Sequence, residues 1–198
     1  MLILLSSNYE IVKKYIKKTD KIGFIPTASE LDSDRWYMEK YRDYFIGEHY
    51  DLINIDITNE TREEILNKFN SSDVMFIPGG NSFYLLQQLK AKDVLKDLIS
   101  FAKNKIYIGV SAGACIACPN IEYLKKFDNK DEVVNLVSYD AMNLINGYIL
   151  PHYNAKEKYS KLIDEVVNEH KEVDYLVLTN EQAIIVEDKD NYKIIDTE

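Results

Sequence analysis

The sequence predicts an α/β fold, a mostly parallel central sheet with helices on both faces. Three observations predict it. Apolar runs of strand length alternate with helical patterns along the first half of the chain. Those runs are continuously apolar, as in strands buried on both faces. Three of them end in turns at the carboxyl edge of the expected sheet, where such folds place ligands: Pro26-Thr27-Ala28-Ser29, Pro78-Gly79-Gly80-Asn81 and Gly109 to Gly113.

In chain order, Leu2 to Ser6 reads as a strand and Tyr9 to Lys18 as a helix. Lys21 to Pro26 is the next strand, and Asp34 to Glu48 an aromatic-rich amphipathic helix. Asp51 to Ile57 reads as a strand, then Asn59 to Phe69 as a helix with Asn59 or Thr61 as its cap. The strand Asp73 to Ile77 precedes the helices Asn81 to Leu89 and Asp93 to Lys103. Ile106 to Val110 is a strand running into Ser111, with a helix expected from Ala112 onward. The second half is less regular: a short strand Tyr148 to Leu150, a helix Ala155 to His170, and strands Tyr175 to Leu178, Ala183 to Val186 and Tyr192 to Ile195. The last two read as a C-terminal β-hairpin turned at Asp188 to Asp190. No repeat, low-complexity tract or linker divides the chain, so residues 1–198 are expected to form one domain.

The chain has 198 residues, 46% hydrophobic and 29% charged, the composition of a globular protein. Its formal charge of −9 argues against nucleic acid or anionic lipid as a partner. The apolar start Met1 to Leu5 is too short and lacks the basic leader of a signal peptide, so the expected location is cytoplasmic. No run approaches the roughly 20 apolar residues of a membrane span. Cys115 and Cys118 form a C-x-x-C string inside the helix after Ser111, best read as buried free thiols.

The G-x-S-x-G string Gly109-Val110-Ser111-Ala112-Gly113 is the sharpest chemical signal. A serine on a tight strand-to-helix turn stands above the sheet, and small neighbours are required because a Cβ would collide in that turn. The helix that follows aims free N–H groups at charge developing on a bound carbonyl oxygen. Gly79 and Gly80, after a buried strand, allow backbone N–H groups to face a ligand beside that of Ala112. Asn81 is either part of that site or the cap of the next helix. Of three histidines, His152 follows a strand and can reach the serine as a base, whereas His49 and His170 lie in polar helix ends. The orienting acid stays open among Glu181, Asp128 and Asp140.

The strings Pro78-Gly79-Gly80-Asn81-Ser82-Phe83, Gly109 to Ala114, Pro119-Asn120-Ile121-Glu122-Tyr123 and Pro151-His152-Tyr153 together resemble peptidase family S51. The resemblance implies a flavodoxin-like three-layer sandwich related to class I glutamine amidotransferases. It implies a serine peptidase for small peptides, dipeptidase-like, working through an acyl-enzyme on Ser111, with His152 as base and Glu181 as third member. Asp128 is then the nearest counterpart of an aspartate also considered in such enzymes. Gly80 and Ala112 would supply the oxyanion hole. No cofactor or metal is implied, and the expected partners are a small peptide and, at most, a second copy of the chain in a homodimer. The family's aspartyl-specific members are thought to use an arginine after the histidine. Here that segment holds only Lys156, Lys158 and Lys161, which grip a carboxylate with less geometric selectivity. Two alternatives stay open: another serine amidase or esterase on the same fold, and a non-catalytic binding module that keeps the elbow.

Overall fold

The computed structural model describes residues 1–129, 133 and 135–197. Its strands are β1 (Leu2–Leu5), β2 (Lys21–Phe24), β3 (Asp51–Asn54), β4 (Val74–Ile77), β5 (Ile106–Val110), β6 (Tyr148–Tyr153), β7 (Tyr175–Thr179), β8 (Gln182–Asp188) and β9 (Asn191–Asp196). Its α-helices are α1 (Trp36–Gly47), α2 (Arg62–Ser71), α3 (Ser82–Ala91), α4 (Leu95–Asn104), α5 (Ala112–Cys115) and α6 (Glu157–Glu169). A seven-stranded sheet runs in the order β3-β2-β4-β5-β1-β8-β9. Its first five strands are parallel, and the β8–β9 hairpin adds antiparallel to β1.

All four residues of β1 and of β4 are buried, because helices cover both faces. Side chains alternate across the sheet. Leu2 and Leu4 join a core with Ile65 of α2, Leu85 of α3 and Leu98 of α4. Ile3 and Leu5 join the opposite core with Met38, Tyr41 and Phe45 of α1. Phe76 anchors that second core, its ring 4.8 Å from Phe45, 5.4 Å from Tyr41 and 5.8 Å from Phe24. Each such side chain stabilises the fold by about 1.5–3 kcal/mol through burial.

Three local features add to or differ from the sequence reading, and a fourth, the cap of α2, decides between its two alternatives. The expected helix over Tyr9 to Lys18 is only a 3-10 turn, Glu10–Lys14. The β-branched Ile11 and Val12, both buried, disfavour a longer helix there. Thr61, not Asn59, caps α2 in a full capping box with Glu64. The helix after Ser111 lasts four residues, and Pro119 stands just beyond its end. Finally, β6 extends through His152 to Tyr153 and pairs in parallel with β7, forming a separate two-stranded sheet. Leu150 of β6 packs on Ile163 and Val166 of α6 in its own small cluster. No helix among the described residues is long and apolar enough to cross a membrane.

Candidate active site

Ser111 stands between β5 and α5 with φ 50° and ψ −108°, a left-handed conformation that costs a non-glycine residue about 1–3 kcal/mol. The surroundings hold it there. Its N–H donates to Leu5 O at 2.9 Å, and its carbonyl accepts from the N–H groups of Ala114 and Cys115 at 2.9 Å. A Cβ on Gly113 would lie 2.0 Å from Ile77 O, and one on Gly109 2.3 Å from Gly113 O. Both glycines of the motif are therefore demanded by close backbone approach. The buried Tyr107 hydroxyl donates to Gly113 O at 2.7 Å, fixing the start of α5 to β5.

His152 arrives from the small sheet. The β6–β7 register shifts between Leu150 and Tyr153, and His152 takes φ 69° in that bulge. A bulge of this kind re-aims a side chain. The His152 N–H donates to Oγ of the fully buried Ser6, at the end of β1, at 2.8 Å. The ring then lies with Nε2 2.9 Å from Ser111 Oγ and Nδ1 2.8 Å from Asn180 Oδ1. The Ser6 hydroxyl, which accepts from His152, points its own hydrogen at the same Oδ1 from 3.5 Å. An amide oxygen facing both donors assigns the proton to Nδ1 and leaves Nε2 bare toward the serine hydroxyl. That arrangement can take a proton from Ser111 and return it.

The residue meeting the imidazole is thus Asn180, one position before the expected Glu181. Asn180 and Glu181 form the turn between β7 and β8. There the Glu181 side chain is exposed to solvent, while its carbonyl accepts from Thr197 N at 2.8 Å. Asp128 does not take the position either. Its Oδ2 accepts the Ser82 N–H at 2.8 Å, at the first turn of α3. Burial holds the Asp128 carboxyl above the usual carboxylate range. Asp140 lies exposed beside Asn120 and Ser138, away from the ring.

Gly80 has φ 133°, and a Cβ there would lie 2.2 Å from Ala28 O. Gly79 faces the nucleophile so closely that a Cβ would sit 3.6 Å from Ser111 Oγ. The first N–H of a helix, here that of Ala112, has no partner within the helix. Asn81 is 7% exposed and belongs to the scaffold: its Oδ1 caps α3 through Phe83 N at 3.0 Å and Tyr84 N at 3.1 Å. Its amide also donates to Asn129 O at 3.0 Å. Capping is the alternative that the sequence already offered for it. Lys156, Lys158 and Lys161 are exposed, and Lys161 pairs with Glu157 at 2.6 Å. Cys115 and Cys118 are free and buried, with the Cys118 thiol pushed up to about 11 by burial. Such thiols are poor nucleophiles at neutral pH. Two participants escaped the sequence reading, Ser6 and Asn180. The only signal for either is a small polar residue at a strand end.

The sheet carries a seryl-imidazole pair at its carboxyl edge, and the comparisons give the class, a hydrolase of the peptidase type. The chain matches peptidase family S51 over residues 3–194, and it belongs to that family. An uncharacterized peptidase of Listeria monocytogenes is 34% identical over 171 residues, covering 85% of this chain and 83% of the relative. A peptidase E of a Nostoc species is 30% identical over 165 residues, covering 77% of this chain and 65% of that protein. A crystal structure from Listeria monocytogenes EGD-e, of a protein named after peptidase E, superposes with a TM-score of 0.85 at 32% identity. It covers 98% of this chain and 97% of its own. A peptidase from an acI-B1 Actinobacterium shares the fold, with a TM-score of 0.67 at 14% identity, over 98% of this chain and 86% of that one.

Proposed function

We propose that this protein is a serine peptidase of small peptides, with Ser111 as nucleophile, His152 as general base and Asn180 as the residue orienting the imidazole. The single observation that carries the reading is the relay Ser111 Oγ, His152 and Asn180 Oδ1, with links of 2.9 and 2.8 Å. Ser111 Oγ attacks the scissile carbonyl carbon while its proton passes to Nε2. The carbonyl oxygen takes the negative charge, facing the N–H groups of Gly80 and Ala112. Collapse breaks the C–N bond, Nε2 protonates the leaving amine, and an acyl-enzyme remains on Ser111. Water then repeats the cycle, releasing the acid and restoring the serine. A serine–histidine–asparagine set keeps the tautomer that a carboxylate would select but supplies no counter-charge to the imidazolium. Cysteine peptidases with an asparagine in this place show that the geometry supports catalysis.

A cavity of about 360 Å³ beside Asn180, lined by Tyr9, Trp36, Tyr37 and Lys40 among others, suits one residue of a short substrate. The exposed lysines of α6 give no basis for strong aspartyl preference. The compartment we assign is the cytoplasm, where two free cysteines stay reduced. The test is labelling with a fluorophosphonate, mapping of the modified residue, and dipeptide hydrolysis by Ser111→Ala and His152→Ala. Labelling at Ser111, with activity lost by about 10³-fold or more in both variants, is the expected result. Hydrolysis that persists in His152→Ala overturns the assignment. Esters cleaved while every peptide is refused favour an esterase instead.

A further inference from the structure

The ring of His152 is tied to its own backbone through two other residues. Its main-chain N–H donates to Ser6 Oγ at 2.8 Å, the Ser6 hydroxyl hydrogen faces Asn180 Oδ1 at 3.5 Å, and the same Oδ1 faces Nδ1 of the ring at 2.8 Å. Ser6 is fully buried at the exit of β1, and its own N–H donates to Gln182 O at 3.3 Å. Two residues further on, the Asn8 N–H donates to Asn180 O at 3.1 Å. The main chains on both sides are thus fixed. What remains at Asn180 is rotation of its side-chain amide, which exchanges Oδ1 for Nδ2 in nearly the same space.

That exchange decides the chemistry, because imidazole adapts to either end of the amide. Opposite Oδ1 it carries its proton on Nδ1 and turns a bare Nε2 to Ser111 Oγ, 2.9 Å away. Opposite Nδ2 it carries the proton on Nε2, and the nucleophile meets a donor in place of a base. The pair His152–Asn180 is self-consistent in both states, so the choice has to come from a third group. Among the described residues, the Ser6 hydroxyl hydrogen meets Asn180 Oδ1 and no other acceptor. A link of 3.5 Å contributes little by itself. The alternative is what counts. With Nδ2 turned inward, a fully buried hydroxyl hydrogen faces an NH2 group and goes unpaired, which disfavours the flipped state about tenfold or more. We propose that Ser6 is a positioning residue that selects the productive tautomer of His152 by fixing which end of the Asn180 amide meets the ring. The proposal rests on the serine-peptidase reading above and adds a residue that acts on the reaction only through Asn180 and His152. A carboxylate in place of the amide has no donor end, so it selects the same tautomer unaided.

The experiment is a double-mutant cycle between Ser6→Ala and Asn180→Asp. It is read by dipeptide hydrolysis and by the nitrogen NMR spectrum of the His152 ring, assigned through its loss in His152→Ala, at a pH where the ring is neutral. The wild type should show the proton on Nδ1. Ser6→Ala should lower kcat by about tenfold or more, change KM by less than about twofold, and bring up the Nε2–H form in the spectrum. With Asn180→Asp already present, Ser6→Ala should cost less than about threefold in kcat, and the Nδ1–H form should persist. Loss of the acceptor for the His152 N–H lowers Tm in both backgrounds, so a purely structural role does not produce this pattern. An equal loss of kcat in both backgrounds, or a Ser6→Ala spectrum that keeps the wild-type tautomer, overturns the proposal. Should Ser6→Ala not fold, Ser6→Cys, of similar size and with only a weak donor, takes its place and the same outcomes decide. Fluorophosphonate labelling of Ser111 keeps the two readings apart. Absence of labelling and of all hydrolysis defeats the peptidase reading, while the ring spectrum of the folded protein still decides the role of Ser6.

Discussion

At Nδ1 of His152 an amide oxygen replaces the carboxylate that serine relays commonly use. Asn180 Oδ1 fixes the tautomer from 2.8 Å but itself brings no negative charge to the imidazolium. Asn180→Asp adds that charge at the same atom. We expect kcat to rise by about 10-fold or more, with the acidic limb of the pH–rate profile moving to higher pH as the charged ring is stabilised. Stopped or continuous dipeptide assays across pH 5 to 9 measure both. Glu181→Gln should change kcat by less than about twofold, because that side chain is exposed and Asn180, not Glu181, meets the ring. Asp128 makes a prediction of opposite sign for stability. Its folded pKa is raised by burial, so the charged form is penalised in the native state. Above the raised folded value the carboxyl is ionised in both states and the penalty is fully present. It fades as pH falls through the raised folded value and is gone below the unfolded value of about 3.9. Asp128→Asn should therefore raise Tm by about 2 °C at pH 7 and by nothing near pH 3. A scan that shows no stabilisation at neutral pH contradicts this account of the residue.

Among the elements, α2 offers the cleanest test of local design. Thr61 accepts from Glu64 N while the Glu64 carboxylate accepts from Thr61 N at 2.8 Å, so each satisfies an orphan group of the helix start. Thr61→Ala should cost about 1 kcal/mol and lower Tm by about 2–4 °C, read by circular dichroism, with kcat unchanged because α2 touches no residue of the relay. The same distinction between local and distant causes explains what was legible. The five parallel strands were readable because continuous apolar runs such as Val74 to Ile77 have few homes other than a sheet buried on both faces. Ser111 and its glycines were readable because backbone collisions within one turn dictate them. The partner of His152 was not. Asn180 and Glu181 are both polar residues of one turn, and only the course of the chain between β7 and β8 decides which faces inward. Ser6 was hidden for the same reason, since its partner stands 146 positions away in the chain. Capping by Asn81 was an open alternative that the three-dimensional course of α3 settled.

For the molecule as a whole, the relay is assembled from two separately hydrogen-bonded sheets. Ser111 and Ser6 follow strands of the seven-stranded sheet, whereas His152 lies within β6 of the two-stranded sheet and Asn180 follows β7. On one face the small sheet packs against α6 through Leu150, Ile163 and Val166, while Ile149, Leu176 and Leu178 on its other face belong to the core of the large sheet. Elements with few buried contacts open at lower free energy than the elements they dock on. Amide hydrogen exchange should accordingly be faster in α6, whose buried residues are Ile163 and Val166, than in β1, β4 and β5. Equal protection of α6 and of those strands would refute this. The imidazole and the serine hydroxyl are thus carried by two sheets that share one core, and neither can be withdrawn alone. Warming or mild urea should abolish hydrolysis and melt the large sheet at one common midpoint, with no window in which a folded sheet is left without activity.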